Sequence, residues 1–235
     1  MHRYEERNNY IFDVHDEREL ARLQLLDNLF NETLDMLPQQ FMHDHQHARI
    51  LDVACGPGGW ALQIAHAHTE WSVIGVDISL KMIEYARAQA EARKLNVQFR
   101  LMDALKFPWS FPDRYFDLVN IRFITGFAPV VSLPTFYQEC WRALQPGGII
   151  RSTEVVCMSA PNSPAVAQLT RKTFAAMWKA GLIFSPTDMS VSAVLAHLLK
   201  DIGFENITLT PFLLDLSHGA PMHQPMWETL KMSAD

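Results

Sequence analysis

Three observations on the 235-residue chain predict an α/β fold, a doubly wound and mostly parallel sheet with helices on both faces. Short apolar runs alternate with amphipathic helical stretches from residue 49 to residue 156. The first run ends in a glycine-rich turn, Cys55-Gly56-Pro57-Gly58-Gly59, that leads straight into a helical pattern. The second run ends in a carboxylate, Asp77. Composition fits a folded domain: 49% hydrophobic and 20% charged residues exclude wholesale disorder.

The elements follow in order. Asp16 is placed to cap a first helix, with Glu19 three residues on as in a capping box. Leu20, Leu23, Leu26, Phe30, Leu34 and Leu37 form its apolar stripe, and Pro38 ends it. After a polar loop, Arg49–Ala54 reads as a buried parallel strand. Gly58–His68 is expected to be helical, Trp71–Asp77 a second strand, and Ser79 the cap of a helix running to about Arg93. Asn96–Leu101 and Tyr115–Ile121 are the third and fourth strands. Leu133–Leu144 is a helix stopped by Pro146-Gly147-Gly148, and Gly148–Val156 is the fifth strand. Ser163-Pro164 opens a helix to about Ala180. A further helix from about Asp188 ends at Ile202 with Gly203 as its cap. Asn206–Leu216 looks like one more strand, and Ser217–Asp235 shows no clear element. The domain reading is an N-terminal helical lid over 1–45, a core over 46–216 with a helical insertion at about 160–186, and a tail over 217–235.

Charge and cysteine usage narrow the partners. A formal charge of −6 argues against a non-specific nucleic-acid binder, which needs a basic surface to release counterions. Cys55, Cys140 and Cys157 are too few for a disulfide framework and suit a reducing compartment. Met1–Val14 lacks the apolar core of a signal peptide, and no apolar run approaches the roughly 20 residues that span a bilayer. A cytoplasmic protein without membrane attachment is the expectation.

The chemistry gathers at the first glycine turn. Glycines let a backbone approach a ligand closely, and a helix N-terminus offers free N–H groups. Such turns lie at the carboxyl ends of parallel strands, where open α/β sheets bind ligands. Asp77 stands where a carboxylate takes both hydroxyls of an adenosine ribose. A nicotinamide dinucleotide and S-adenosylmethionine both fit this outline. Charge separates them, because Asp52 just before the turn repels a pyrophosphate and favours an ammonium and a sulfonium. The run G-P-G-G with Ala61 also misses the dinucleotide fingerprint.

At this point the sequence resembles a known family. Asp52 to Gly59 is similar to motif I of the class I S-adenosylmethionine-dependent methyltransferases. Val76-Asp77-Ile78-Ser79, Asp103-Ala104, Phe116-Asp117-Leu118-Val119-Asn120 and Leu144-Gln145-Pro146-Gly147-Gly148 resemble its later motifs, over about residues 45 to 215. Tyr10, Asp13 and Glu19–Leu23 further resemble a small-molecule branch. The resemblance implies that Asp52 sits beside the methionine part of the cofactor, and that Ala54, Gly56 and Gly58 contact that part through backbone. It implies that Asp77 holds the ribose, Ile78 packs on the adenine, and Asp103 with Ala104 meets the adenine amino group. Asn120 is expected at the methionine ammonium, with Tyr10 and Arg22 closing the pocket.

Methyl transfer to a small-molecule acceptor needs alignment and exclusion of water more than acid–base help. Where a base is needed, Glu154 after strand five is the first candidate, followed by Arg122, His15 and His218. His197, between Leu195 and Leu198, reads as packed rather than catalytic. His43, Asp44, His45 and His47 do not make a metal site without a further ligand, so no metal is expected. Phe174, Met177, Trp178, Leu182, Ile183 and Phe184 are expected to line an apolar acceptor pocket. The second reading is a methyltransferase-like partner subunit that binds cofactor without its own catalysis. A closing sheet strand cannot be found beyond Leu216, so the C-terminal segment or a second copy, as a homodimer, is expected to cover that edge.

Overall fold

The computed structural model describes residues 17–34, 37–38, 41–42, 45–155, 164–187 and 191–234. Helix α1 spans Glu17–Thr33, shorter at its end than its apolar stripe suggested. The strands are β1 (Arg49–Val53), β2 (Ser72–Asp77), β3 (Val97–Leu101), β4 (Phe116–Arg122) and β5 (Leu144–Thr153). Between them lie α2 (Gly59–Ala67), α3 (Leu80–Ala92) and α4 (Leu133–Ala143), followed by α5 (Pro164–Lys179), α6 (Ser192–Ile202) and α7 (His223–Ala234).

The sheet order is β3-β2-β1-β4-β5. β1 runs parallel to both β2 and β4, and β2 parallel to β3. The strand order reverses between β1 and β4, so the crevice beyond their carboxyl ends is the expected ligand position. Burial explains the apolar runs: every side chain of β4 from Phe116 to Ile121 is buried, as is β1 from Ile50 to Val53. Strands covered on both faces need continuous apolar sequence rather than alternation.

By compactness the described chain divides into two units. One comprises the described part of Phe12–Ile121 with Arg142–Arg151 and Thr208–Asp235. Its core joins Ile50, Val73, Phe99 and Leu118 of the sheet to Trp60, Ile64, Ile83 and Ala86 of α2 and α3. The other contains Arg122–Trp141 and Ser152–Ile207, in which Phe174, Met177, Leu182 and Ile183 pack together.

Several expectations are corrected. β5 begins at Leu144, four residues early, and runs through Pro146-Gly147-Gly148 instead of starting after it. Asn206–Leu216 is not a strand: it pairs with no neighbour in the sheet and is mostly exposed. Pro211 stands in the middle of that run without a ladder donor, and Asn206 takes a left-handed φ of 54°. The tail does hold an element, α7, which packs on α1; Thr33 Oγ1 lies 3.8 Å from Met222 Sδ at this contact. Pro225 falls in the first turn of α7, where no N–H is needed. Among the described residues, the C-terminal helix thus lies against α1. His197 is exposed on α6 rather than packed.

Candidate functional site

The glycine turn after β1 is shaped by backbone conformation. Ala54, Gly56 and Gly58 all take left-handed φ values, 54°, 55° and 81°. A Cβ on Gly58 would meet the Phe99 ring at 2.7 Å, so this position requires glycine for close packing as well as for its torsion. At Gly56 the nearest atom to such a Cβ is Leu23 Cδ1 of α1, at 3.8 Å.

Carboxylates converge on this turn. Asp77 Oδ2 accepts from Gly56 N at 2.9 Å and its Oδ1 accepts from Ser79 N at 2.8 Å, tying the end of β2 to the turn. Burial pushes the Asp77 carboxyl above its ordinary value, while the N–H groups of Ser79, Gly56 and Ile78 pull it back. Asp52, in register with Gly75 and Asn120, is buried, and its Oδ1 accepts from Asn120 Nδ2 at 2.8 Å. The side-chain carbonyl of Asn120 in turn accepts from Arg151 at 3.0 Å. From α1, Asp27 Oδ2 accepts from Gly59 N at 3.0 Å and so occupies the N-terminus of α2. Burial first, then the carboxylates of Asp77, Asp52 and Asp27, push the Cys55 thiol well above its usual range. That thiol is no nucleophile.

Around β3 the arrangement is looser. Met102 N donates to the Asp77 carbonyl at 2.9 Å, which sets Asp103 just beyond. Asp103 Oδ1 accepts from Leu105 N at 2.9 Å, with Lys106 Nζ 3.6 Å from its other oxygen. Ala104 is buried, its carbonyl held by Trp109 Nε1 at 3.0 Å, and Ile78 is half-buried. Arg22 is buried and makes a two-pronged pair with Glu19 on the same helix, at 2.6 and 2.7 Å. Tyr10 and His15 lie outside the described residues, as do Cys157, His43 and Asp44.

The second unit contains Arg122 and Glu154. Arg122 closes β4 and is half-buried. Phe123 follows with a left-handed φ of 59°, a strained conformation for an aromatic residue, and donates its N–H to Thr153 at 2.8 Å. Ile124 N donates to Glu154 Oε1 at 2.9 Å. Burial pushes the Glu154 carboxyl up from 4.5 to about 7, against the hydrogen bonds from Ile124, Thr125 and Ser152. Of the expected acceptor-pocket residues, Phe174, Met177, Leu182 and Ile183 are buried against one another, whereas Trp178 and Phe184 are exposed. His218 is exposed.

Sequence reasoning missed two residues. Asp27 interrupts the apolar face of α1 between Leu23 and Phe30, and Arg151 interrupts an apolar strand. A charge inside an apolar stripe was the available signal in both. Among the described residues no group of three His, Cys, Asp or Glu side chains is arranged to hold a metal, and no helix is long and apolar enough to cross a membrane.

The chain is similar to known proteins. Residues 50–148 match the family model described as a methyltransferase domain. The chain is 36% identical over 104 residues to the demethylmenaquinone methyltransferase of Deinococcus radiodurans, covering 44% of this chain and 42% of that protein. It is 31% identical over 189 residues to the corresponding Bacillus licheniformis protein, covering 74% and 77%. The solved phosphoethanolamine N-methyltransferase 2 of Haemonchus contortus, in complex with S-adenosyl-L-methionine, shares the fold with a TM-score of 0.57 at 21% identity, over 91% of this chain and 43% of that one. The matches thus span under half the length of the Deinococcus and Haemonchus proteins. With the Bacillus relative matched over three quarters of both chains, and the motif turn folded as its sequence implied, the chain belongs to the class I S-adenosylmethionine-dependent methyltransferases.

Proposed function

We propose that this chain transfers a methyl group from S-adenosylmethionine to a small-molecule acceptor. The observation that carries the reading is the set of carboxylates around the glycine turn, Asp52, Asp77 and, beyond β3, Asp103. The cofactor's polar groups on this side are donors: an ammonium, two ribose hydroxyls and an adenine amino group. A carboxylate oxygen accepts more than one hydrogen bond, so Asp77 keeps capacity for the ribose while holding Gly56 and Ser79. The donor set therefore fits the group. An anionic pyrophosphate finds the opposite, since Asp27 already fills the N-terminus of α2 and Asp52 lies behind the turn.

In this reading Asp77 orients the ribose and Asp103 with Ala104 meets the adenine edge, against which Ile78 packs. Ala54, Gly56 and Gly58 admit the methionine chain, and Asp52 with Asn120 faces its ammonium. When bound, the cofactor supplies an electrophilic methyl on a sulfonium. Alignment and removal of water are then the protein's main contributions. Arg22, locked to Glu19, acts as part of a rigid α1 instead of reaching for ligand. The net charge of −6 supports a small acceptor over a nucleic acid.

The names of the relatives suggest first acceptors, demethylmenaquinone and phosphoethanolamine. Incubation with methyl-labelled S-adenosylmethionine and each compound, read by mass spectrometry, tests the reading. Label on an acceptor supports it. Absence of S-adenosylhomocysteine binding together with absence of any transfer removes it.

A further inference from the structure

We propose that the unit of Arg122–Trp141 and Ser152–Ile207 adheres to anionic membrane surfaces through helix α5 and the turn that follows it. The surface lies wholly within that unit and is independent of the methyl-transfer reading.

The sequence sets the charge. Between Glu154 and Asp188 there is no acidic residue, in a chain whose formal charge is −6. The basic residues of that stretch, Arg171, Lys172 and Lys179, all lie on α5 and are all exposed. Elsewhere cations are matched: Arg22 pairs with Glu19, Lys106 with Asp103, Arg142 with Asp113 and Lys231 with Glu228. The three on α5 make no ion pair among the described residues. Lys179 stands in the last turn, where a cation suits the helix dipole. Arg171 and Lys172 stand mid-helix, where the dipole offers nothing.

Local sequence then sets the faces. Phe174 and Met177 turn one face of α5 inward onto Leu182 and Ile183. Helical spacing places Leu169, Lys172, Ala176 and Lys179 on the opposite face, with Arg171 and Trp178 in a stripe along its edge. A face turned only to water is polar throughout. This one leaves Leu169 51% and Trp178 48% exposed among its cations. The N–H groups of Gly181 and Leu182 donate back to the carbonyls of Trp178 and Met177, each at 2.9 Å. The chain thus folds over the last turn of α5, and Phe184 emerges near that end, 44% exposed.

Single exposed apolar residues are ordinary. Three of them on one helix and its turn, whose charges are all positive and unmatched, match an interfacial helix. Cationic groups meet lipid phosphates, lysine stems lie along the headgroup layer, and indole, phenyl and aliphatic side chains enter the acyl boundary. Phosphate contacts on a nucleic acid would use the charges and leave Leu169 and Phe184 in water. A helix lying in the interface needs no spanning length. Three charges and three apolar side chains give reversible, salt-sensitive adhesion rather than permanent anchoring.

The test uses the full chain and vesicle flotation. Vesicles of phosphatidylglycerol and phosphatidylcholine in equal parts should capture the protein at low salt, and high salt should release it. Phosphatidylcholine alone should not capture it. Lys172→Gln combined with Lys179→Gln should weaken capture roughly 25-fold, fivefold for each charge. Lys94→Gln combined with Lys231→Gln, an equal loss of charge at exposed positions of the other unit, should leave capture near wild type. Bromine on the lipid chains should quench tryptophan emission in wild type and quench it less in Trp178→Phe. Should the lysine variant not fold by circular dichroism, that quenching comparison decides. No capture by the anionic vesicles, capture unchanged in a folded lysine variant, or identical quenching in Trp178→Phe overturns the proposal. Tighter binding to duplex DNA than to the vesicles, lost in the lysine variant, assigns the face to nucleic acid and also overturns it.

Discussion

Asn120 holds Asp52 by donating an amide hydrogen across 2.8 Å to Oδ1, and both side chains are buried. The direction of that bond is set from behind, because Arg151 donates to the Asn120 carbonyl at 3.0 Å. The amide must then present its NH2 to Asp52. A strand-end carboxylate is thereby fixed in place by residues on two neighbouring strands, β4 and β5.

Asn120→Asp replaces that donor with a second carboxylate. Two buried like charges at this separation cannot both ionise, so one of the pair is forced toward the neutral form. The folded state then binds a proton more tightly than the unfolded chain. Stability should fall as pH rises, and the variant should melt lower than wild type at pH 8 and recover toward it at pH 5. Equal melting deficits at the two pH values would show that the charge at position 120 is not felt by Asp52.

Gly59 is required by Asp27. A Cβ at Gly59 would sit 2.5 Å from Asp27 Oδ2. Gly59→Ala should therefore push Asp27 off the N-terminus of α2, losing a cap worth about 0.5–2 kcal/mol. Denaturant unfolding checks this through a double-mutant cycle. Asp27→Ala should cost a similar amount, and the double variant little more than either single one. Fully additive losses would mean the two positions are independent.

Stability should also depend on Glu154. Its carboxyl is raised from 4.5 to about 7 in the folded chain, so the native state binds the proton more tightly than the unfolded one. The stabilising contribution of the protonated form is complete below pH 4.5 and is lost as pH climbs through 7. Integrated over that window the loss is roughly 3 kcal/mol. Unfolding free energies of wild type and Glu154→Gln, measured from pH 5 to pH 8, should diverge in favour of the variant as pH rises. Parallel curves would place the Glu154 carboxyl at an ordinary value.

Much of this was legible in the sequence, for physical reasons. Buried parallel strands announce themselves as apolar runs, and Asp77 ends such a run, whereas Asp52 and Asn120 stand within theirs and Asn120 was read through the family resemblance. The glycine turn was readable because left-handed torsions and close approach to Phe99 restrict the residue types. Partnerships across the sequence were not readable. Nothing local in the chain says that Asp27 caps a helix 32 residues on, or that Arg151 reaches Asn120. The tail failed for a different reason. Apolar alternation over Asn206–Leu216 imitated a strand although Pro211 breaks its ladder, and Pro225, which obscures a helical pattern in the tail, is tolerated in the first turn of α7.

Dinucleotides should not bind at the glycine turn. With Asp27 on the N-terminus of α2 and Asp52 behind it, a pyrophosphate meets two carboxylates and no free N-terminal anion site. In thermal-shift assays S-adenosylhomocysteine should raise the melting temperature, and NAD and NADP should leave it unchanged. Stabilisation by a dinucleotide alone would reverse the assignment.

The most direct test of the account is calorimetric titration of S-adenosylhomocysteine into the wild type and into Asp77→Ala, with circular dichroism as the control for folding. Wild type should bind saturably at one site. The variant should bind about tenfold or more weakly, since hydrogen bonds to a charged acceptor contribute roughly 1.5–3 kcal/mol. No binding by wild type, or equal affinity in a folded Asp77→Ala protein, would contradict the claim that the turn after β1 and the carboxylate after β2 form the cofactor site.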